Sequence, residues 1–230
     1  MNNKTIEIYR GKGFSVLGDS VSTLDGYTRP VGAAFYEGAQ RLESGVLLPE
    51  NTWWGRVIDA LGGELVANNS ISGSMVSRHP KCCVPSYGCS DERTSDLASR
   101  ERLPDVIMVF LGINDWGCGT PPVGEGDDIS TFSIAYKVML EKLKANYPEA
   151  EILCLTLPIC DCDDGTEAFS LNARRYRIEE YNEIILGLAK DMGCRALDIR
   201  CVSGRYPTID GYHPNAEGME VIADAVLRGI

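Results

Sequence analysis

Five short apolar runs, separated by stretches with helical periodicity, constrain the fold of this chain more than any other feature. Each run has the length and the apolar content of a buried strand. The runs cover residues 14–17, 64–67, 106–111, 152–157 and 196–199. Strands that alternate with helices form βαβ units, which place a parallel sheet between two helical layers. The sequence therefore predicts a three-layer α/β/α fold with a flavodoxin-like, five-stranded parallel sheet.

Apolar residues recur at helical spacing between and after these runs. The stripes are Trp54, Val57, Ile58 and Leu61; Ala135, Val138, Met139 and Leu143; Tyr181, Ile184, Ile185, Leu188 and Met192; and Met219, Ile222, Ala225 and Val226. Ser130 and Thr131 are candidate caps of the second helix, while Pro214 and Asn215 fit the start of the last one. With neither an internal repeat nor a low-complexity linker, residues 1–230 are expected to form a single domain.

The net negative charge of the chain argues against two classes of binding partner. The formal net charge is -11, and 44% of the 230 residues are hydrophobic. A negative field repels phosphate backbones and anionic lipids, so neither nucleic acid nor a membrane surface is an expected partner. No stretch has the apolar length of a signal peptide or of a membrane span, and we expect a cytoplasmic protein that acts on a small molecule. The oligomeric state does not follow from the sequence.

The nine cysteines do not suggest a metal centre. Zinc ligands usually occur as Cys-x-x-Cys pairs, a spacing that neither Cys82-Cys83 nor Cys160-Asp-Cys162 has. In a chain without an export signal, reduced thiols are the expected state. We therefore expect neither a metal nor a cofactor.

Polar residues that could carry out nucleophilic chemistry follow the apolar runs. Ser20 comes directly after the first run, and an aspartate and a histidine, Asp210 and His213, lie near the end of the chain. A serine can attack an ester when a neighbouring histidine removes its proton and a carboxylate orients that histidine. The intermediate's oxyanion also needs donors. The backbone N–H groups of Ser20 and Gly73 and the side-chain amide of Asn114 are the candidates.

For the residues next to these candidates, a structural role is an alternative to a role in catalysis or substrate binding. Asp19 is a candidate substrate-binding residue, but its side chain is also of the type that stabilises a turn through hydrogen bonds. Asp115 is interpreted as an ordinary turn residue, and Trp54 as part of the core. Trp116 is a second candidate substrate-binding residue because it directly follows Asn114-Asp115. His79, in a loop rich in Cys and Pro, is interpreted as a surface or structural histidine.

Four short blocks of this chain, at residues 18–22, 68–74, 111–115 and 210–213, together resemble those of the SGNH hydrolases, also called GDSL esterases and lipases. That family is named for Ser, Gly, Asn and His, which are supplied here by Ser20, Gly73, Asn114 and His213. The first block departs from the family name, because Val21 stands where the name has Leu. The resemblance covers the chain from about residue 14 to the last helix. It implies a flavodoxin-like fold, no metal and an acyl-enzyme mechanism.

The sequence thus favours a serine esterase that hydrolyses a small acyl ester, with an acetyl group on a carbohydrate as the leading candidate. The reason for a small acyl group is that no long apolar lid is visible and the loops after the strands are polar. A lysophospholipase or thioesterase with the same chemistry is the first alternative. A carbohydrate-binding protein that has lost turnover is the second, and a metal-dependent hydrolase the third.

Overall fold

The fold, taken from a computed structural model, is built on a five-stranded sheet. The structure describes residues 3–78, 86–160, 176–200 and 205–230. The strands are β1 (Gly13–Gly18), β2 (Glu64–Ser70), β3 (Val106–Phe110), β4 (Glu151–Leu155), β5 (Ile159–Cys160), β6 (Arg195–Leu197) and β7 (Arg205–Tyr206). Five of them pair in the order β2-β1-β3-β4-β6, and β5 pairs with β7 separately.

Every pairing in the large sheet is parallel. Parallel neighbours need a crossover connection, and this chain supplies helices between consecutive strands. The order, with β1 between β2 and β3, is the flavodoxin-like order of a doubly wound sheet. In such sheets the ligand site lies outside the carboxyl ends of the strands, where the strand order reverses. Here that point lies beside the end of β1.

Helices cover both faces of the sheet. They are α1 (Asn3–Tyr9), α2 (Gly38–Ser44), α3 (Trp53–Leu61), α4 (Asp91–Ser95), α5 (Ile113–Cys118), α6 (Phe132–Asn146), α7 (Ile178–Asp191) and α8 (Ala216–Gly229). One apolar core joins the sheet to α3 and α8, and a second joins it to α6 and α7. The predicted three-layer α/β/α fold is thereby confirmed.

The bounds of the strands differ from the predicted runs in one informative place. The strand predicted at residues 64–67 is longer in the structure, where β2 continues to Ser70. The added residues pair with Val16, Leu17 and Gly18 of β1, and their polar side chains are buried. Asn68 finds a partner there, since its side-chain amide donates to the carbonyl oxygen of Ser22 at 2.8 Å. A polar strand end of this kind gives no apolar signal in the sequence.

Side chains cap two of the predicted helices. Thr52 Oγ1 accepts a hydrogen bond from the Gly55 N–H at the start of α3, at 3.0 Å. Asn215 Oδ1 accepts one from the Gly218 N–H at the start of α8, at 2.9 Å. Thr131 is the residue before α6, but its hydroxyl donates to the carbonyl of Asp128 instead of accepting from the helix. None of the described helices is long and apolar enough to cross a membrane.

Candidate active site

Ser20 lies at the carboxyl end of β1, at the start of a single 3-10 turn (Ser20–Ser22). Asp19 caps this turn, with its Oδ1 accepting a hydrogen bond from the Val21 N–H at 3.1 Å. Gly18 is required just before it: a Cβ on Gly18 would lie 2.5 Å from Ser22 Oγ and 2.8 Å from Ser70 Oγ. The sharp exit from the strand presents the Ser20 hydroxyl at the edge of the sheet.

The loop before α8 brings a histidine and an aspartate to this hydroxyl. The distance from His213 Nε2 to Ser20 Oγ is 2.9 Å. On the other side of the ring, His213 Nδ1 lies 2.6 Å from Asp210 Oδ2. The structure therefore brings together the three residues that the sequence proposed as nucleophile, base and orienting acid. A serine hydroxyl within hydrogen-bond reach of an oriented imidazole is the geometry that nucleophilic catalysis needs.

Asp210 is held in place by its own loop. Its Oδ1 accepts hydrogen bonds from the backbone N–H of Tyr212 at 3.0 Å and of His213 at 2.8 Å. Partial burial acts to raise the pKa of Asp210, but the hydrogen bonds from the backbone N–H and the ring of His213 outweigh it. The pKa of Asp210 consequently lies below its ordinary value. The carboxylate is thus ionised at neutral pH and can hold the histidine in one tautomer.

A cavity of about 310 Å³ opens beside Ser20 and His213. Its walls are mainly apolar and aromatic, formed by Val21, Phe110, Ile113, Trp116, Leu157, Tyr206 and Tyr212. Both candidate substrate-binding residues, Asp19 and Trp116, line it. Trp116 is buried, and its indole N–H donates to the carbonyl of Tyr176 at 3.2 Å.

Asp19 is the carboxylic acid among the residues that line this cavity. Its side chain is buried, and complete burial raises its pKa to about 7 although the Val21 N–H and the charge of Arg93 act in the opposite direction. A carboxyl group removed from water favours its neutral form. Asp19 therefore caps the nucleophile turn and lines the cavity, and its role in binding substrate stays a prediction.

Two of the three oxyanion candidates, Gly73 and Asn114, lie in the loop after β2 and in α5. Gly73 has a φ of +76° and belongs to the turn that a hydrogen bond from Ser74 N to Ile71 O closes. Asn114 lines the cavity from the first turn of α5, and its amide nitrogen donates to Ser74 O at 2.9 Å. That nitrogen carries a second hydrogen, which remains for a ligand. Gly73 is not among the residues that line the cavity, so its N–H as an oxyanion donor stays a prediction.

Two tryptophans at the start of α3 hold the nucleophile turn. The indole N–H of Trp53 donates to Ser22 Oγ at 3.1 Å, and that of Trp54 donates to the Ser22 carbonyl at 3.0 Å. Trp54 is buried as predicted. Its indole N–H has a second role, because the hydrogen bond to the Ser22 carbonyl holds the turn that carries Ser20.

Arg93 of α4 is the supporting residue that the sequence analysis missed. The side chain is fully buried and donates to the carbonyls of Gly18 at 2.8 Å and Asn69 at 2.9 Å, and to Ser74 Oγ at 2.7 Å. One guanidinium thus joins the ends of β1 and β2 to the Gly73 turn. An arginine within a short polar helix gives no sequence signal of this function.

The interpretation of Asp115 as an ordinary turn residue is wrong. Asp115 lies in α5 and is fully buried. Its carboxylate accepts hydrogen bonds from Val76 N at 2.7 Å, from Ser77 N at 3.1 Å and from Ser77 Oγ at 2.6 Å. Burial raises the pKa of Asp115 to about 6, against the effect of these hydrogen bonds. The residue fixes the segment after the Gly73 turn to the helix that carries Asn114.

Several residues singled out in the sequence fall outside the part of the chain that the structure describes. They are His79, Cys82, Cys83 and Cys162. Within the described residues, Cys89, Cys154 and Cys194 are free thiols. No group of three or more His, Cys, Asp and Glu side chains in that part of the chain is placed to hold a metal ion.

A flavodoxin-like sheet that carries a serine, histidine and aspartate at its carboxyl edge is the arrangement of a carboxylic ester hydrolase with a serine nucleophile. The family comparison agrees with this class. The model of the GDSL-like lipase/acylhydrolase family matches residues 12–230, and the chain belongs to this family. Comparison by sequence with curated proteins gave no significant match.

Solved structures of similar fold cover nearly the whole chain. A candidate GDSL-like lipase from Bacteroides uniformis is 27% identical with a TM-score of 0.72, and covers 98% of each chain. One from Bacteroides ovatus is 26% identical with a TM-score of 0.71, over 95% of this chain and 97% of its own. Axe2, an acetylxylan esterase from Geobacillus stearothermophilus, is 20% identical with a TM-score of 0.62, over 96% of this chain and 95% of its own. At that identity the last likeness concerns the fold alone.

Proposed function

We propose that this protein hydrolyses small acyl esters, in particular acetyl groups carried by a carbohydrate, through an acyl-enzyme on Ser20. The observation that carries the proposal is the continuous contact from Asp210 through His213 to Ser20, at 2.6 Å and 2.9 Å, beside the cavity. Because the ring nitrogens of His213 contact Ser20 on one side and Asp210 on the other, the hydroxyl proton has an acceptor whose orientation is fixed.

In the first half of the reaction, Ser20 Oγ bonds to the acyl carbonyl carbon while its proton passes to His213 Nε2. The carbonyl π electrons move to the oxygen, which the N–H of Ser20, the N–H of Gly73 and the amide of Asn114 would stabilise. When the intermediate collapses, the ester C–O bond breaks and the departing alcohol takes the proton from His213. A water molecule then attacks the acyl-enzyme by the same route and releases the acid and free Ser20.

The aromatic lining supports a carbohydrate as the alcohol part of the ester. Tyr212 stands directly before His213, lines the cavity and leaves 47% of its surface exposed. An aromatic face that is open to solvent beside a catalytic group offers an apolar platform on which the face of a sugar ring can pack. The Tyr206 hydroxyl donates to the Tyr212 carbonyl at 3.2 Å, which fixes the backbone of this platform.

A second candidate function keeps the same chemistry and changes the acyl group. The side chains of Phe110, Ile113 and Leu157 give the cavity a continuous apolar wall, which would bind a longer acyl chain through burial of its methylene groups. This wall favours a lysophospholipase or a thioesterase. The length of the acyl chain that is turned over fastest separates the two functions.

The deciding experiment measures hydrolysis of p-nitrophenyl esters from acetyl to decanoyl, together with release of acetate from acetylated xylo-oligosaccharides. Ser20→Ala is the inactive control, and Ser95→Ala, at an exposed position of α4, controls for the loss of a serine hydroxyl. The proposal expects turnover that falls with chain length and is lost only in Ser20→Ala. A maximum at octanoyl or longer would instead support the second candidate function.

Tyr212→Ala tests the carbohydrate part of the proposal. Loss of the platform should raise the KM for acetylated oligosaccharides more than the KM for p-nitrophenyl acetate, because only the oligosaccharide presents sugar rings to it. Tyr27→Ala is the matched control, since Tyr27 is a similarly exposed tyrosine (42%) that does not line this cavity. Equal KM values for the oligosaccharide in wild type and Tyr212→Ala would show that Tyr212 does not bind the carbohydrate.

A further inference from the structure

The face of the His213 ring is covered by the ring of Phe35. The two ring centroids are 3.5 Å apart and the planes are inclined by only 12°, so the rings are stacked. The hydrogen bonds to Ser20 and Asp210 use the edge of the imidazole, and they restrain motion out of the ring plane only weakly. A parallel aromatic ring restricts that motion on its side. Its face also attracts the positive charge that His213 gains when it takes a proton.

The backbone of Phe35 is tied to the nucleophile turn by one hydroxyl group. Thr23 Oγ1 accepts a hydrogen bond from the Phe35 N–H at 2.8 Å and donates one to the Ser20 carbonyl at 2.8 Å. Thr23 is fully buried, so water does not compete for these two bonds. The position of the stacked ring is therefore set relative to the residue whose proton His213 accepts.

The segment of residues 33–36, called the brace below, also contacts the other two loops of the site. The Ala33 carbonyl accepts a hydrogen bond from Ser72 N at 2.8 Å, directly before Gly73. The Tyr36 hydroxyl, which is buried, donates to the carbonyl of Pro214 at 2.8 Å, directly after His213. The brace thus joins the nucleophile turn, the Gly73 turn and the histidine loop, which are far apart in the chain.

We propose that Phe35 is a positioning residue that holds the His213 ring in line with Ser20, and that Thr23 anchors it. This inference rests on the proposed function, in which His213 is the base. Phe35 is not among the residues that line the cavity, so its effect should fall on the chemical step. A small displacement of a catalytic group costs roughly 10- to 100-fold in rate.

Steady-state kinetics with p-nitrophenyl acetate provide the first test. Phe35→Leu keeps an apolar side chain but loses the flat ring face, and we expect kcat to fall roughly 10- to 100-fold with little change in KM. Phe35→Tyr keeps the face and should restore most of kcat. In the same way, Thr23→Val should lower kcat, whereas Thr23→Ser, which keeps the hydroxyl, should stay near wild type. A loss caused by misfolding would not be rescued by the conservative variants in this pattern.

The second test is independent of turnover. The ring current of Phe35 should move the proton resonances of the stacked His213 ring upfield, and this displacement should disappear in Phe35→Leu and persist in Phe35→Tyr. The chain has two histidines, so His79→Gln assigns the signals. Ser20→Ala protein can be used for the same spectra, because the contact does not require activity.

The two tests separate the positioning role from the proposed function. A wild-type protein without activity on any ester, but with an upfield His213 resonance, would overturn the proposed function and with it the role of Phe35 in catalysis. An active wild type with an unchanged kcat in Phe35→Leu would overturn the positioning role alone. An unchanged His213 resonance in Phe35→Leu would show that the stacked contact does not exist.

Discussion

Replacing Asp19 by asparagine should change how the stability of the protein depends on pH. The pKa of Asp19 in the folded protein is about 7 because the carboxyl group is completely buried, against an ordinary value of 3.8. The difference is about 3 pH units, and each unit corresponds to about 1.4 kcal/mol. Ionised Asp19 therefore costs the folded protein about 4 kcal/mol relative to the protonated form.

The sign follows from proton binding in the two states. Between about pH 4 and pH 7 the folded protein keeps a proton on Asp19 that the unfolded chain has lost, so stability decreases as the pH rises through this interval. The amide introduced by Asp19→Asn cannot ionise, and its oxygen can still accept the hydrogen bond from Val21 N. We expect the advantage of Asp19→Asn over wild type to be about 4 kcal/mol larger at about pH 8.5 than at about pH 4.

Urea unfolding of both proteins at the two pH values measures this double difference directly. Taking the difference between pH values cancels any change that the amide makes to packing or hydrogen bonding. Asp59→Asn, on the exposed side of α3, is the control for the loss of a surface carboxylate. The same stability difference between Asp19→Asn and wild type at both pH values would refute the argument that burial raises the pKa of Asp19.

Further predictions concern the remaining site residues. Asp210→Asn should lower kcat by about 10⁴, because an amide beside Nδ1 favours the wrong tautomer of His213; activity close to wild type would exclude the orienting role. Asn114→Ala should lower kcat by about 10² with little change in KM, since it removes one oxyanion donor; an unchanged kcat would contradict that assignment. Arg93→Met should lower the free energy of unfolding by about 3–5 kcal/mol in urea titrations, because it removes the charge-assisted hydrogen bonds to Gly18 O, Asn69 O and Ser74 Oγ; a loss below about 1 kcal/mol would contradict it.

The fold was predictable because its signals are local. Apolar runs and helical stripes depend on residues close together in the chain, and they located the five strands of the large sheet and the helices α3, α6, α7 and α8. The prediction was poorest where a strand is polar. The end of β2 is stabilised by pairing with β1 and by the Asn68 side chain, neither of which can be read from the residues of that segment alone.

The serine, histidine and aspartate of the candidate site were predictable from their residue types and their places after the predicted strands and before the last helix. The sequence proposed Ser20, Asp210 and His213 together, and the structure places them in contact. Phe35 and Arg93 escaped because their importance comes from contacts with distant parts of the chain. Arg93, for example, binds the carbonyl of Gly18, 75 positions away. No spacing or propensity rule reports such a contact before the fold is known.

The most direct test of the central claim, that Ser20 is the nucleophile activated by His213, is covalent labelling with a fluorophosphonate followed by intact mass and peptide mapping. We expect one adduct per chain, located on Ser20, no adduct in Ser20→Ala and much slower labelling in His213→Ala. Ester hydrolysis should disappear in step with the labelling. A label on another residue, or hydrolysis that survives in Ser20→Ala, would contradict the account.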